Sequence, residues 1–145
     1  MTFTIATVCY NAANTIERTL HSVGAQDYPF VEHLIIDGAS KDATLNHLHL
    51  WEKQQEAMPT SHKLVVVSES DKGLYDAMNK ALRQADGDYI LFLNAGDKFH
   101  ATTTLSDIAS QLSVFADPAQ LPAVLYGDTH LVDDSGTFLR ARRLS

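Results

Sequence analysis

The chain has 145 residues, enough for one compact domain with its own core, and its 45% apolar content argues against a disordered chain. A formal net charge of −7 and a pI near 5.3 exclude the basic face that broad nucleic-acid binding requires. Cys9 is the single cysteine, so no internal disulfide forms, and it reads as a small buried hydrophobe.

The N-terminus Met1-Thr2-Phe3-Thr4 lacks the charged start and long apolar run of a signal peptide. No apolar stretch approaches the ~20 residues of a membrane helix. The chain is therefore expected to be cytoplasmic.

Phe3 to Val8 is an apolar run read as the first strand. Asn14 with Glu17 has capping-box spacing, ahead of a helix with Ile16, Leu20 and Val23 on one face. Leu34 to Ile36 is a second strand, stopping at Asp37-Gly38. Ser40 or Asp42 can cap a second helix whose apolar face is Leu45, Leu48 and Trp51, and Pro59 breaks it. Leu64 to Val67 is a third strand. Leu74, Met78, Ala81 and Ala85 mark a third helix closed near Gly87, followed by a strand from Tyr89 to Leu93. Leu105, Ile108, Leu112 and Phe115 form a fourth helical face. Ala123 to Tyr126 is expected as a fifth strand, and Asp134-Ser135-Gly136 as a turn between hairpin strands 130–133 and 137–140. Continuous apolar strands alternating with amphipathic helices predict an α/β fold, with a mostly parallel central sheet covered on both faces.

In such sheets ligands bind beyond the carboxyl ends of the strands. Those ends carry Tyr10 and Asn11; Asp37, Gly38 and Ser40; Glu69, Asp71 and Lys72; Asn94, Gly96 and Asp97; and Asp128. Acids gathered at adjoining strand ends repel one another, so the cluster calls for a cation or for donors supplied by a ligand, and among cations the oxygen donors favour Mg2+ or Mn2+.

Four segments stand in order at these ends: Thr7-Val8-Cys9-Tyr10-Asn11, Ile36-Asp37-Gly38-Ala39-Ser40-Lys41-Asp42, Asp71-Lys72-Gly73-Leu74-Tyr75-Asp76-Ala77-Met78-Asn79, and Gly87 through Asp97. Together they resemble family 2 glycosyltransferases of the GT-A (nucleotide-diphospho-sugar transferase) fold, of the bacterial polysaccharide-assembly type similar to colanic-acid transferases. The resemblance implies an inverting transfer from a nucleoside-diphosphate donor, a UDP-sugar first, to a saccharide or lipid-linked acceptor. It implies that Tyr10 stacks on the base, that Val8 makes backbone or edge contacts, and that Asp37 hydrogen-bonds the base. Many relatives carry a second acid where this chain has Gly38. The family's Asp-x-Asp signature falls on Asn94 and Gly96, with Asp97 adjacent. Asp97 is then the expected metal ligand, and Asn94 reaches ribose or phosphate. Asn11, Lys72 and Gly96 complete the expected nucleotide-sugar set.

Plainer roles stand beside these. Asp37 can brace the Gly38–Asp42 turn, Asp97 can cap the segment after it, and Tyr10 can be an ordinary half-buried strand residue. Lys72 can be a solvated loop lysine. Glu69 and Asp71 read as loop acids. The seven histidines have no metal-site spacing, and only His100 lies close to Asp97 in sequence. Arg140, Arg142 and Arg143 read as solvated, although the resemblance allows peripheral work at the inner face of a membrane.

The resemblance places the catalytic base well beyond the metal motif. Residues 1–145 are therefore expected to be a single nucleotide-sugar-binding domain, C-terminally truncated, that binds nucleotide but transfers sugar poorly. The alternative is a binding module without transferase activity. Asp128 is the one acid expected to be able to substitute for the base. A dehydrogenase is disfavoured, because no Gly-x-Gly-x-x-Gly follows the first strand, and a P-loop enzyme because Gly-Lys-Ser/Thr is absent.

Overall fold

A computed structural model describes residues 1–143. The chain divides into two compact units, Met1–Asp107 and a second that begins at Ile108.

The first unit is built on β1 (Phe3–Cys9), β2 (Val31–Asp37), β3 (Lys63–Ser68) and β4 (Tyr89–Phe92), in the spatial order β3-β2-β1-β4. All three pairings are parallel, with Phe3 opposite both Val31 and Tyr89, and Glu32 opposite Lys63. Every residue of β1 and β2 is buried, so neither strand has a solvent face, and the polar residues they carry (Thr4, Thr7, Glu32, His33 and Asp37) lie inside.

Successive residues of β2 serve opposite faces. Leu34 and Ile36 pack with Ala6, Val8, Ala77 and Ala81, the last two from α3 (Leu74–Gln84). Ile35 packs with Ile16 and Leu20 of α1 (Ile16–Gly24), and with Leu48 and Trp51 of α2 (Thr44–Ala57). One helix therefore covers one face and two helices the other, as expected for a parallel α/β sheet.

Polar groups inside this core are paired. Thr4 Oγ1 donates to Glu32 Oε1 at 2.8 Å and accepts the Gly87 N–H at 2.9 Å. Lys63 Nζ closes on Glu32 Oε2 at 2.9 Å. Burial pushes Glu32 up, but the Asp86 N–H, Lys63 and Thr4 outweigh it and hold the carboxyl below its usual range. His33 is buried with Nε2 2.8 Å from Thr7 Oγ1, and burial lowers its pKa to about 3, so the ring is neutral.

Several sequence expectations need correction. The first helix has Thr15 at its N-cap and no side-chain cap bond, so Asn14 and Glu17 form no capping box; Glu17 instead meets His47 Nδ1 at 2.8 Å. Ala43 takes the N-cap position of α2, while Asp42 Oδ1 accepts the Thr44 N–H at 2.9 Å. Ser40 is directed to Asp37 instead. Helix α3 ends at Gln84, and Gly87 is reserved for a close approach to Thr4.

Helix α4 (Thr104–Leu112) spans the division between the units. No strand forms at 123–126: Val124 and Tyr126 are exposed, and the parallel sheet has four strands. Short apolar runs signal burial rather than strand pairing, and here neither occurs. Asp128 therefore does not follow a strand of the sheet. The second unit contains an antiparallel hairpin of β5 (Thr129–Val132) and β6 (Phe138–Arg142). Asp133 Oδ1 ties its turn by accepting the N–H groups of Ser135 and Thr137, each at 2.9 Å, with Gly136 at φ +86°. Among the described residues no helix is long and apolar enough to cross a membrane.

Candidate nucleotide-sugar site

The carboxyl ends of β1, β2 and β3 open onto a cavity of about 540 Å3. From β1 and its exit come Val8, Cys9 and Tyr10. The loop after β2 gives Gly38, Ala39 and Lys41, and the loop after β3 gives Ser70, Asp71, Gly73 and Leu74. Tyr10 is 58% exposed, so its ring stands free in the cavity rather than in the core. Leu74, expected on the buried face of α3, is 49% exposed and lines the cavity as well.

The loops around the cavity are locked to one another. Asn11, at φ +48°, donates its N–H to Ser40 Oγ at 2.8 Å, and its Oδ1 accepts the Lys41 N–H at 2.8 Å. Both polar ends of Asn11 thus join the β1 and β2 exits. Ala39 is the second non-glycine residue at positive φ, +59°, a strained state tolerated where the surroundings over-determine it.

Asp37 is fully buried. Its carboxylate accepts from the Ser40 N–H at 2.9 Å, Ser40 Oγ at 2.5 Å, Ser68 Oγ at 2.7 Å and the Cys9 thiol at 3.5 Å. It braces the floor of the site and is not on the cavity lining. Burial first, then the charge of Asp37, pushes the Cys9 thiol well above the usual range, so Cys9 is no nucleophile.

The loop after β4 continues the ladder to β1: the Leu93 N–H donates to Ala6 O at 2.9 Å, and the Ala95 N–H to Val8 O at 3.3 Å. Asn94 to Asp97 then closes as a turn, with the Asp97 N–H on Asn94 O at 2.9 Å and Gly96 at φ +100° in the third position. Asp97 is exposed, yet partial desolvation of its carboxyl raises its pKa, and Arg18 pulls against that shift. Asn94 Oδ1 is buried without a hydrogen-bond partner among the described residues.

Of the residues expected at the site, Val8 and Tyr10 line the cavity. Asn11 and Asp37 support it from behind. Lys72 is exposed and off the lining, its N–H on Asp76 Oδ2 at 2.9 Å, and Lys41 is the cation that reaches the cavity. Asn94, Gly96 and Asp97 flank β1 on the β4 side, outside the lining. Asp71, placed at the β3 exit by the sequence but read there as a loop acid, lines the cavity, whereas Lys41 was not among the expected site residues. The signal that could have found Lys41 was its place in the β2 exit loop.

The expected clustering of acids is not observed. Among the described residues no three His, Cys, Asp or Glu side chains converge as a metal site. The reason is strand order: β3 and β4 occupy opposite edges of the sheet, so Glu69 and Asp71 stand apart from Asp97. One carboxylate, Asp97, and one orphaned amide oxygen, Asn94 Oδ1, remain in a single turn. That donor chemistry fits Mg2+ or Mn2+, which commonly take one or two protein carboxylates and complete their shell with phosphate oxygens and water.

Residues 4–116 match the family description "Glycosyl transferase family 2". The chain belongs to glycosyltransferase family 2. It is 40% identical over 95 residues to TuaG of Bacillus subtilis, named as a teichuronic acid biosynthesis glycosyltransferase, covering 66% of this chain and 36% of that protein. The fold resembles the mannosyltransferase PcManGT of Pyrobaculum calidifontis in complex with GDP-Man and Mn2+, with TM-score 0.68 and 31% identity over 80% of this chain and 32% of the other. It also resembles S. aureus TarS 1-349 in complex with UDP-GlcNAc, with TM-score 0.66 and 27% identity over 79% of this chain and 32% of the other. The architecture is thus the GT-A fold. The chain spans about a third of the length of these three proteins.

Proposed function

We infer that this chain holds the donor-binding part of a glycosyltransferase, taking a nucleoside-diphosphate sugar, a UDP-sugar first, for transfer with inversion to a saccharide or lipid-linked acceptor. The observation that carries this reading is the cavity at the β1–β3 exits, with an exposed Tyr10 ring above a rigid floor, on a family 2 fold. Its volume falls within the 300–1,000 Å3 usual for small-ligand sites. Tyr10 offers a flat apolar surface to a base, and Lys41 a cation to an anionic donor. The polysaccharide acceptor class is supported by the role in TuaG's name.

Asp97 and Asn94 are the residues that would hold a divalent ion. When bound, such an ion neutralises charge that develops on the leaving diphosphate. The complex of PcManGT with Mn2+ supports this part of the reading.

The second reading is a binding module without transfer. It is favoured by Asp128 standing in no strand of the parallel sheet, which withdraws the expected geometry for a substitute base.

Calorimetry with UDP tests the main reading. The expected result is binding that Tyr10→Ala weakens by about 5- to 150-fold, the span of ~1–3 kcal/mol for base stacking, while the melting temperature stays unchanged. Absence of UDP binding, or indifference to Tyr10→Ala, would sink it.

A further inference from the structure

We propose that Asp71 is the residue that reads the base, accepting the N3–H of uracil on its Oδ2 oxygen. This rests on the donor-site reading above and assigns the base contact within that site.

At the β2 exit neither Asp37 nor Gly38 presents a free side-chain acceptor to the cavity. Asp37 is fully buried, and its carboxylate is taken up by two groups of Ser40, by Ser68 and by the Cys9 thiol. Gly38, the next residue, has no side chain. A Cβ built on Gly38 would lie 2.7 Å from Asp71 Oδ2 and 3.4 Å from Tyr10 Cδ2. The space a side chain would take at the β2 exit is therefore filled from β3, by a carboxylate that sits beside the Tyr10 ring. A side chain at position 38 would force the Asp71 carboxylate to shift, so glycine there leaves this placement free.

Asp71 is oriented from its own loop. Its Oδ1 accepts the Gly73 N–H at 3.0 Å, which directs Oδ2 toward Gly38. The residue is half-buried and lines the cavity. An ionised carboxylate only accepts hydrogen bonds, so it recognises a ring N–H and disfavours a ring nitrogen lone pair. Uracil presents N3–H at that edge, whereas cytosine presents a bare N3 and adenine a bare N1. Guanine presents two adjacent donors and suits a carboxylate with both oxygens available. With Oδ1 turned to the Gly73 N–H, it is Oδ2 that lies toward Gly38 and Tyr10, and a single acceptor oxygen facing the base matches the single donor of uracil.

The test is calorimetric titration of the full chain with UDP, CDP and GDP. Wild type, Asp71→Ala, Asp71→Asn and Tyr10→Ala are compared, with circular dichroism as the folding control. Asp71→Asn keeps an oxygen for the Gly73 N–H, so it separates base reading from loop integrity. The expected result is a preference of wild type for UDP over CDP of about tenfold or more, lost in both Asp71 variants, with Tyr10→Ala weakening both nucleotides alike. UDP binding that responds to Tyr10→Ala but keeps its UDP-to-CDP ratio in the Asp71 variants overturns the assignment and leaves the donor-site reading intact. A wild-type preference for GDP, or none among the three, overturns the uracil assignment. No binding of any nucleotide overturns both.

Discussion

The hydroxyl of Thr19 donates to the backbone carbonyl of Asp97 at 2.7 Å, and the same oxygen accepts the Gly96 N–H at 2.9 Å. Thr19 is fully buried on α1, so one side chain pins the Asn94–Asp97 turn to the helix behind it. Thr19→Val keeps the shape and removes both bonds, leaving the Gly96 N–H unpaired. The expected loss is about 1–3 kcal/mol, read as a lower urea midpoint with an unchanged slope. The metal-dependent share of nucleotide affinity should fall more than the metal-independent share. A midpoint equal to wild type would show that the turn holds itself.

Asp97→Asn should separate stability from binding. Partial desolvation raises the pKa of this carboxyl, against the pull of Arg18, so the folded protein bears a penalty for its charge. Removing the charge should leave the melting temperature of the unliganded protein equal or higher at pH 7. The extra thermal stabilisation that Mn2+ adds in the presence of UDP should disappear. An equal Mn2+ response in variant and wild type would remove Asp97 from the metal site.

His33 predicts a pH dependence. Its folded pKa of about 3 lies below the usual 6.5 because burial excludes the charged ring, with His62 adding to the effect. Between these values the unfolded chain binds more protons, so stability is complete above about pH 6.5 and declines as pH falls toward 3. The slope reaches at most about 1.4 kcal/mol per pH unit. Glu32, whose carboxyl is held below the usual range, adds a loss of the same sign only under more acidic conditions. Urea unfolding between about pH 5.5 and 6.5, above the usual carboxylate range, therefore weights the histidine most. His33→Gln should flatten the curve there, and an unchanged slope would assign it elsewhere.

Two glycines should behave oppositely when changed to alanine. A Cβ on Gly87 would sit 2.6 Å from Thr4 Oγ1, 2.7 Å from Thr4 N and 2.9 Å from Thr2 O, and backbone atoms cannot step aside. Gly87→Ala should cost about 1–3 kcal/mol, as overpacking does. Among the described residues, its chain neighbours apart, Gly127 has no atom within 4 Å of such a Cβ, and Gly127→Ala should stay within about 0.5 kcal/mol. Equal effects in the two variants would contradict the packing described for the β1–β4 junction.

Local pattern determined a good part of this molecule. The runs Phe3–Val8, Leu34–Ile36 and Leu64–Val67 are strands because their residues are β-branched or large and apolar, and the helical faces of α1 and α2 follow from spacing alone. The hairpin around Ser135-Gly136 was legible for the same reason, since its turn chemistry is local. That Tyr10 lines the cavity was legible because a strand exit is a position in sequence.

Which exits share a cavity was not legible, since it depends on strand order. Placing β3 and β4 at opposite edges parts Asp71 from Asp97 and brings Asp71 to Gly38. The roles of Asp37 and Asp71 are set by the same non-local fact. A carboxylate is a ligand or a brace according to how many donors surround it, and the donors to Asp37 come from Cys9, Ser40 and Ser68, on three separate segments. The run Ala123–Tyr126 has the composition of a strand, but a strand also needs a partner edge, and only the tertiary structure decides whether one is supplied.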